Sequence, residues 1–148
     1  MTATSTLDAR ISSRSGVALS IFRIAVALLF VMHGTAKLFG WPLGQAAALG
    51  AWPAWWAGGL EVILGTLIAI GLFIRQAAFI ASGMMAVAYF WIHFPSGFWP
   101  IVNEGEPAVL YCFVFLLLVF TGPGALAVSR RKDLRPRRKR VRAGAAAP

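Results

Sequence analysis

Five ionisable side chains lie within long apolar stretches of the sequence: Arg23, His33, Lys37, Glu61 and His93. If these stretches cross a membrane, each charge is expensive, because an Arg, Lys or Asp at mid-helix costs about 2.5–3.5 kcal/mol on translocon insertion scales. Such groups usually face the interior of a helix bundle. We therefore expect the five residues to form an intramembrane polar cluster, to which the sequence assigns no catalytic role.

Glu61 is the least expected of the five, because it lies in the apolar sequence GGLEVILG. Gly58 and Gly65, three residues before it and four after it, share its face of a helix. Small residues on one face let two helices approach closely. His33 and Lys37 lie at a comparable depth on the preceding stretch, counting about 1.5 Å per residue. A contact of Glu61 with Lys37 or His33 is therefore expected.

Arg23, Gly34 and Lys37 fall within about 60° of one another on a helix of 100° per residue. Gly34 thus joins Gly58 and Gly65 as an expected helix-packing glycine. Arg23 lies about 20 Å from the level of Lys37 along the helix. It belongs to a different layer of the bundle, or it extends its side chain towards the nearer interface.

Metal and redox chemistry find little support in the residue spacing. His33, His93 and Glu61 could bind a metal in principle, but no HxxxH or ExxH spacing is present, so no metal is expected. A lone His93 at a helix end is more typical of a hydrogen-bonded anchor. The single cysteine, Cys112, cannot form an internal disulfide or a CxxC pair and reads as a small core residue.

The amino-acid composition indicates whether water or lipid surrounds the helices that position these residues. Of the 148 residues, 59% are hydrophobic and only 13% are charged, whereas soluble domains carry about 25% charged residues. Four apolar segments reach the roughly 20 residues that cross a bilayer. We predict an all-α membrane protein, a four-transmembrane-helix bundle with short loops. Its expected spans lie at 17–38, 54–73, 76–94 and 107–128, between a cytoplasmic segment at 1–16 and a disordered basic C-terminal tail at 129–148.

Basic residues predict the orientation. Arg10 and Arg14 precede the first span, Arg75 lies in the second link, and nine of the 14 Lys and Arg residues lie in Arg130–Arg142. All of these positions fall on one side of a four-span chain. Cytoplasmic loops are enriched in Lys and Arg, so the sequence predicts that both termini lie in the cytoplasm. Its usage, rich in Ala, Gly and Arg with few Lys, suggests a bacterial protein, and hence a place in the bacterial plasma (inner) membrane.

The sequence leaves two alternatives open. The stretch IAVALLFVM after Arg23 is similar to a signal-peptide core, with Gly34-Thr35-Ala36 as a cleavage site, which would leave three spans. The tryptophans all lie at the expected outer side, which is typical of an interfacial belt but also leaves room for a ligand or partner surface. The six are Trp41, Trp52, Trp55, Trp56, Trp91 and Trp99.

The motifs in residues 17–129 resemble those of the DoxX-like family of small four-helix integral membrane proteins. The first span carries an early Arg and a later HG-x-x-K-L, the second carries G-x-x-E-x-x-x-G with a later Gly and Arg, and the fourth ends in GPG with a later Ser. The matching positions are Arg23, His33, Gly34, Lys37, Leu38, Gly58, Glu61, Gly65, Gly71, Arg75, Gly122, Pro123, Gly124 and Ser129. One departure is Arg130, where the family often has an Asp after that Ser.

The resemblance implies a function linked to redox enzymes. Some members look like membrane subunits of a thiosulfate:quinone oxidoreductase, and others are proposed to tether a superoxide dismutase and a sulfurtransferase at the membrane. We therefore expect a membrane subunit or scaffold of a quinone- or sulfur-linked redox complex, with redox-enzyme partners. No cofactor is evident in the sequence, although a quinone could be accommodated.

Other functions rank lower. The alternative is a small transporter or lipid-handling membrane protein that uses the buried Glu, Lys and His residues. A self-standing enzyme ranks last, because no nucleophile–base pair or phosphate-binding loop is present. The basic run Arg130–Arg142 is expected to bind anionic lipid headgroups at about 1 kcal/mol per residue, or else an acidic protein partner. It has no interleaved aromatic residues, so no nucleic acid is expected.

Overall fold

The computed structural model describes residues 3–129, with side chains from residue 12 onward. This part of the chain is all-helical. Its long helices are α1 (Ala3–Phe39), α2 (Ala54–Ile70), α3 (Ile74–Ala88) and α4 (Glu106–Thr121), and α3 continues through a π-helical turn, Tyr89–His93, and a 3₁₀ turn, Phe94–Ser96. The basic run Arg130–Arg142 lies outside the described residues.

The helices pack as two hairpins, α1 against α2 and α3 against α4, with a sparser contact between α2 and α3. We call the end that holds residues 40–53 and 97–105 the loop end. The opposite end holds the short α2–α3 link, 71–73, and the segment after α4, 122–129, and we call it the turn end. Every sequence-predicted polar residue except Arg23 lies towards the loop end.

The hydrophobic core fills the bundle between the middle of the helices and the turn end. Phe30 and Phe115 are buried at its centre with ring centroids 4.7 Å apart, and Ile68 and Leu118 are fully buried beside them. Small residues of α3 also belong to the core, namely Ala77, Ala78 and Ala81. This arrangement places an apolar barrier between the two ends of the bundle.

The outward faces are also apolar. Large side chains such as Leu28, Phe79, Phe113 and Leu117 are more than half exposed, which in water would be an unusually large apolar surface. Two stretches are long and apolar enough to cross a membrane, Ser12–Phe39 and Ile74–Ser96, whereas α2 and α4 are apolar but have 17 and 16 residues. An apolar surface of this kind is typical of helices that contact lipid.

Two helices end earlier than their sequence-predicted spans. α2 ends at Ile70 because Gly71 adopts a left-handed conformation, with φ 73°, and its N–H caps the carbonyl of Ile68. α4 ends at Thr121, not near residue 128, because Gly122 takes a positive φ of 78° and Pro123 cannot continue a helix.

The third span is not a regular helix to its end. Pro95 has no backbone N–H, and a proline ring collides with the carbonyl of the residue four positions earlier, here Trp91. The helix accommodates this by widening into the π-helical turn at Tyr89–His93. The first helix is longer than expected, because nothing in residues 3–16 interrupts it.

Candidate functional site

Three glycines bring α1 and α2 into close contact. A Cβ on Gly34 would lie 2.7 Å from the carbonyl oxygen of Gly58, and one on Gly58 would lie 2.9 Å from the Cβ of Lys37. A Cβ on Gly65 would lie 2.7 Å from a methyl group of Val31. Only residues without a side chain permit this approach. The short distance between the helices brings Lys37 within reach of α2.

Lys37 and Glu61 form an ion pair between α1 and α2, in which Lys37 Nζ donates to Glu61 Oε1. Glu61 is 1% exposed, whereas the side chain of Lys37 is 36% exposed. The second carboxylate oxygen, Oε2, is buried and has no hydrogen-bond partner among the described residues. One charge is therefore paired from one side only, and its other oxygen is an open acceptor.

Glu61 borders a cavity of about 240 Å³ between the four helices at the loop end. We call it the polar cavity. Its polar lining consists of Lys37, Glu61, His33, His93, Glu104 and Tyr111, and its apolar lining includes Phe30, Met85 and Pro107. The cavity therefore collects four of the five sequence-predicted residues around one space.

His33 and Tyr111 form the wall of the polar cavity between α1 and α4. Their rings meet edge to face with centroids 5.6 Å apart, and the Tyr111 ring stacks on Phe115 with centroids 5.6 Å apart. The sequence did not single out Tyr111, because an aromatic residue in an apolar helix carries no signal of its own. Helical spacing from Pro107 would have placed it one turn inside α4.

His93 is held in place by the loop 97–105. Its Nδ1 lies 3.0 Å from the carbonyl oxygen of Asn103, and Asn103 is itself buried, donating to the carbonyl of Gly97 and accepting from the N–H of Gly105. The next residue, Glu104, lines the cavity from a left-handed backbone conformation, with φ 59°. Non-glycine residues rarely take this conformation, and it is often found at functional sites.

A second cavity, of about 510 Å³, lies between α2 and α3 and is almost wholly apolar. We call it the lateral groove. Trp52, Trp56, Leu60 and Trp91 line it, and it shares residues with the polar cavity. The shared residues are Lys37, Glu61, Met85, Ala88 and His93. The two spaces therefore meet at the ion pair.

Arg23 does not belong to this site. It is fully buried towards the turn end, where Nη1 donates to the carbonyl of Ile68 at 2.7 Å and Nη2 donates to the carbonyl of Leu126. Ten residues separate it from His33, which is about 15 Å along a helix. Arg23 caps one carbonyl in the last turn of α2 and holds the segment after α4 through the carbonyl of Leu126.

Ser20 completes this second polar layer. Its hydroxyl accepts from the N–H of Leu126 at 2.9 Å and donates to the carbonyl of Gly16 at 2.8 Å. A further hydrogen bond joins the N–H of Ala125 to the carbonyl of Gly16. The segment 122–129 is thereby tied across α1, an arrangement that sequence reasoning missed because it depends on the path of the chain after Gly122.

The remaining sequence-predicted features are structural or untested. Within the described residues, no three His, Cys, Asp or Glu side chains lie close enough to hold a metal ion, and the absence of a metal stays a prediction. Cys112 is half-buried, and its carbonyl accepts from Ser82 Oγ at 2.9 Å. The polar cavity thus offers hydrogen-bond donors and acceptors, but no activated nucleophile.

Comparison with known proteins gives one matching family and two relatives. The family model described as DoxX matches residues 18–94. A protein of Haemophilus influenzae that is named only as uncharacterized is 44% identical over 119 residues, which cover 76% of this chain and 89% of that protein. The Inner membrane protein YphA of Escherichia coli K12 is 32% identical over 126 residues, which cover 78% and 90%. No solved structure matches at a significant level.

Proposed function

The chain belongs to the DoxX family and is a membrane protein, and from this premise we propose that it is a four-span protein of the bacterial inner membrane that serves as a membrane subunit or scaffold of a redox complex. In this proposal the polar cavity binds the head of a membrane-dissolved molecule. A partner enzyme catalyses the transfer of electrons from a donor.

Element lengths and charge support four spans. Helices of 17 and 16 residues are about 25 and 24 Å long, close to the lower limit for a hydrocarbon core of about 30 Å. Arg75 lies at the turn end, and the run Arg130–Arg142 follows the segment 122–129 in the sequence; the positive-inside rule assigns such a basic side to the cytoplasm. Both termini are then cytoplasmic and the loop end faces outward. The name of the Escherichia coli relative supports the inner membrane.

The proposed organisation follows from this orientation. Residues 17–128 form the transmembrane domain, and 1–16 and 129–148 are cytoplasmic. Arg130–Arg142 then lies directly after the last span, where nine basic residues would meet anionic lipid headgroups.

The observation that carries the proposal is the ion pair of Lys37 and Glu61, which both line the polar cavity and the lateral groove, while Glu61 Oε2 has no hydrogen-bond partner among the described residues. Removing a charge from water costs several kcal/mol, and a buried pair often stabilises no more than apolar residues would. If the pair only stabilised the bundle, apolar residues such as leucine would stabilise it equally well or better. We therefore attribute a binding role to the two charged side chains.

An oxidised quinone fits the donor side of this ion pair, the ammonium of Lys37. The ammonium of Lys37 has N–H groups beyond the one used by Glu61, and one of these would donate to a carbonyl oxygen of the ring. The lateral groove would hold the apolar chain, and the buried rings of Phe30 and Phe115 would exclude water from below. When bound, the quinone supplies two-electron redox chemistry, and the residues of this chain bind and orient it.

The experiment is purification of the tagged full-length protein in mild detergent, followed by identification of the bound proteins and a quinone-reduction assay. We expect co-purification of an oxidoreductase or sulfur-handling enzyme whose quinone-dependent activity falls when Glu61→Gln is introduced. Glu106→Gln, an exposed acid at the same end, is the matched control. Recovery of no redox enzyme, or equal activity in both variants, would overturn the proposal.

A transporter or lipid-handling function is the second candidate, favoured by the exposed side chains of Leu60 and Trp91 in the lining of the groove. Passage across the membrane is disfavoured, because Phe30, Phe115, Ile68 and Leu118 fill the bundle below the cavity. Solute uptake by liposomes that contain the wild-type protein, lost in Glu61→Gln, would favour this function over the first.

A further inference from the structure

The polar cavity and the lateral groove together have the form of a site for one amphipathic molecule. They meet along Lys37, Glu61 and His93. The cavity is small and has six polar or ionisable side chains in its lining, and the groove is about twice its volume and largely apolar. The groove lies between α2 and α3, whose mutual contact is sparser than that within either hairpin. A ligand that fills both spaces has a compact polar head and a long apolar chain.

Glu61 determines the chemistry of the head. Its Oε1 is occupied by Lys37, while its Oε2 is buried without a partner among the described residues. An ionised carboxylate accepts hydrogen bonds and donates none. The complementary group on a ligand is therefore an N–H or O–H donor, which would satisfy an oxygen that is otherwise buried without a hydrogen bond.

We propose that the site binds a single-chain or two-chain amphiphile whose head donates an N–H or O–H hydrogen bond to Glu61 Oε2 and places an acceptor oxygen near Lys37. Two membrane molecules share this chemistry, an ethanolamine phospholipid and a long-chain hydroquinone. A choline phospholipid and an oxidised quinone lack the donor. The inference rests on the proposed function for the cavity, and it adds a requirement on the head that the proposed function does not make.

Tryptophans of the groove provide the readout. Trp52, Trp56 and Trp91 line it, and bromine atoms on an acyl chain quench the fluorescence of a tryptophan that they touch. The full-length protein in detergent is titrated with dibrominated phosphatidylethanolamine and with phosphatidylcholine of the same chains. We expect half-maximal quenching at an about tenfold lower mole fraction of the ethanolamine lipid, the discrimination expected of one charge-assisted hydrogen bond.

Competition then identifies the source of the ligand. Displacement of the brominated ethanolamine lipid by decyl-hydroquinone, but not by decyl-quinone, assigns the site to a hydroquinone. Displacement by neither assigns it to the phospholipid. Equal displacement by both redox forms, with equal quenching by the two phospholipids, would overturn the donor requirement while leaving the proposed redox complex to be judged by its own co-purification experiment.

Variants test the binding of the ligand's head and the binding of its chain separately. Glu61→Gln should abolish the preference for ethanolamine over choline, while Glu106→Gln, the same change of charge outside both cavities, should retain it. Ala57→Phe should fill the groove and weaken quenching by both lipids about tenfold, whereas Ala25→Phe, on an exposed face of α1, should not. Retention of the headgroup preference in Glu61→Gln, or unchanged quenching in Ala57→Phe, would contradict the inference. If Glu61→Gln does not fold, the comparison of lipids in the wild type decides.

Discussion

At the scale of single residues, the structure contains two polar layers, and the separation of Arg23 from Lys37 agrees with the depth counted along the first helix. Lys37 and Glu61 pair at the loop end, while Arg23 donates to two carbonyls towards the turn end. Counting residues along a helix gives depth, which is why the pairing of Lys37 with Glu61 could be anticipated. The partners of Arg23 could not, because Leu126 lies after a glycine turn whose direction no periodicity specifies.

The ion pair leads to a prediction on stability. Lys37→Ala leaves a buried carboxylate with no partner, and loss of one member of a buried pair typically costs about 3–5 kcal/mol. Glu61→Ala also removes the pair, so the double variant should be less destabilised than the sum of the single variants by about 1–3 kcal/mol. Unfolding of the purified protein by denaturant in detergent measures this coupling.

The matched control for this cycle is Glu106→Ala, an exposed acid at the start of α4. Its combination with Lys37→Ala should be additive within about 0.5 kcal/mol. Additive effects for Lys37→Ala and Glu61→Ala would mean that the two side chains do not interact in the membrane protein.

At the scale of elements, the positions of the four helices were largely predictable and their ends were not. Apolar runs locate a helix, but Gly71, Gly122 and Pro95 act through backbone conformations that hydropathy does not register. The π-helical turn at Tyr89–His93 also alters the direction in which His93 points. For the same reason Asn103, which holds His93 from an irregular loop, had no detectable signal in the sequence.

Close packing of α1 on α2 gives a prediction for these elements. In Gly34→Ala the new Cβ would lie 2.7 Å from the Gly58 carbonyl oxygen and 2.9 Å from the Val62 nitrogen. Because backbone atoms cannot rotate away, the two helices must separate, at a cost of about 1–3 kcal/mol for overpacking. Denaturant unfolding measures the loss, and the groove tryptophans report the altered position of Lys37.

Gly59 provides the matched control, since it lies beside Gly58 on α2 and a Cβ there would meet nothing within 4 Å. Gly59→Ala should be neutral or stabilising by up to about 1 kcal/mol, because alanine favours the helix. Equal destabilisation by both substitutions would show that loss of glycine flexibility matters, and that close helix contact does not.

At the scale of the whole molecule, polarity is distributed unevenly along the bundle axis. The polar cavity and its charged residues occupy the loop end, and an aromatic and aliphatic core separates them from the turn end. The ends of the molecule are therefore not equivalent, and the residues that could bind a ligand lie at one of them. Which compartment the loop end faces decides which molecules it meets.

Orientation can be tested with cysteines introduced one at a time into a Cys112→Ser background. Gln45 and Ser96 are exposed at the loop end, and Ser12 and Gln76 are exposed towards the turn end. Because basic residues accompany the turn end, we expect a membrane-impermeant maleimide to label Gln45→Cys and Ser96→Cys in intact cells. Ser12→Cys and Gln76→Cys should react only after the membrane is permeabilised. If labelling alternates in this way between the two ends at all four positions, the chain must have four spans. A shortened chain that has lost the Ser12→Cys label would indicate cleavage within α1. Labelling of Gln76→Cys in intact cells would refute the proposed topology.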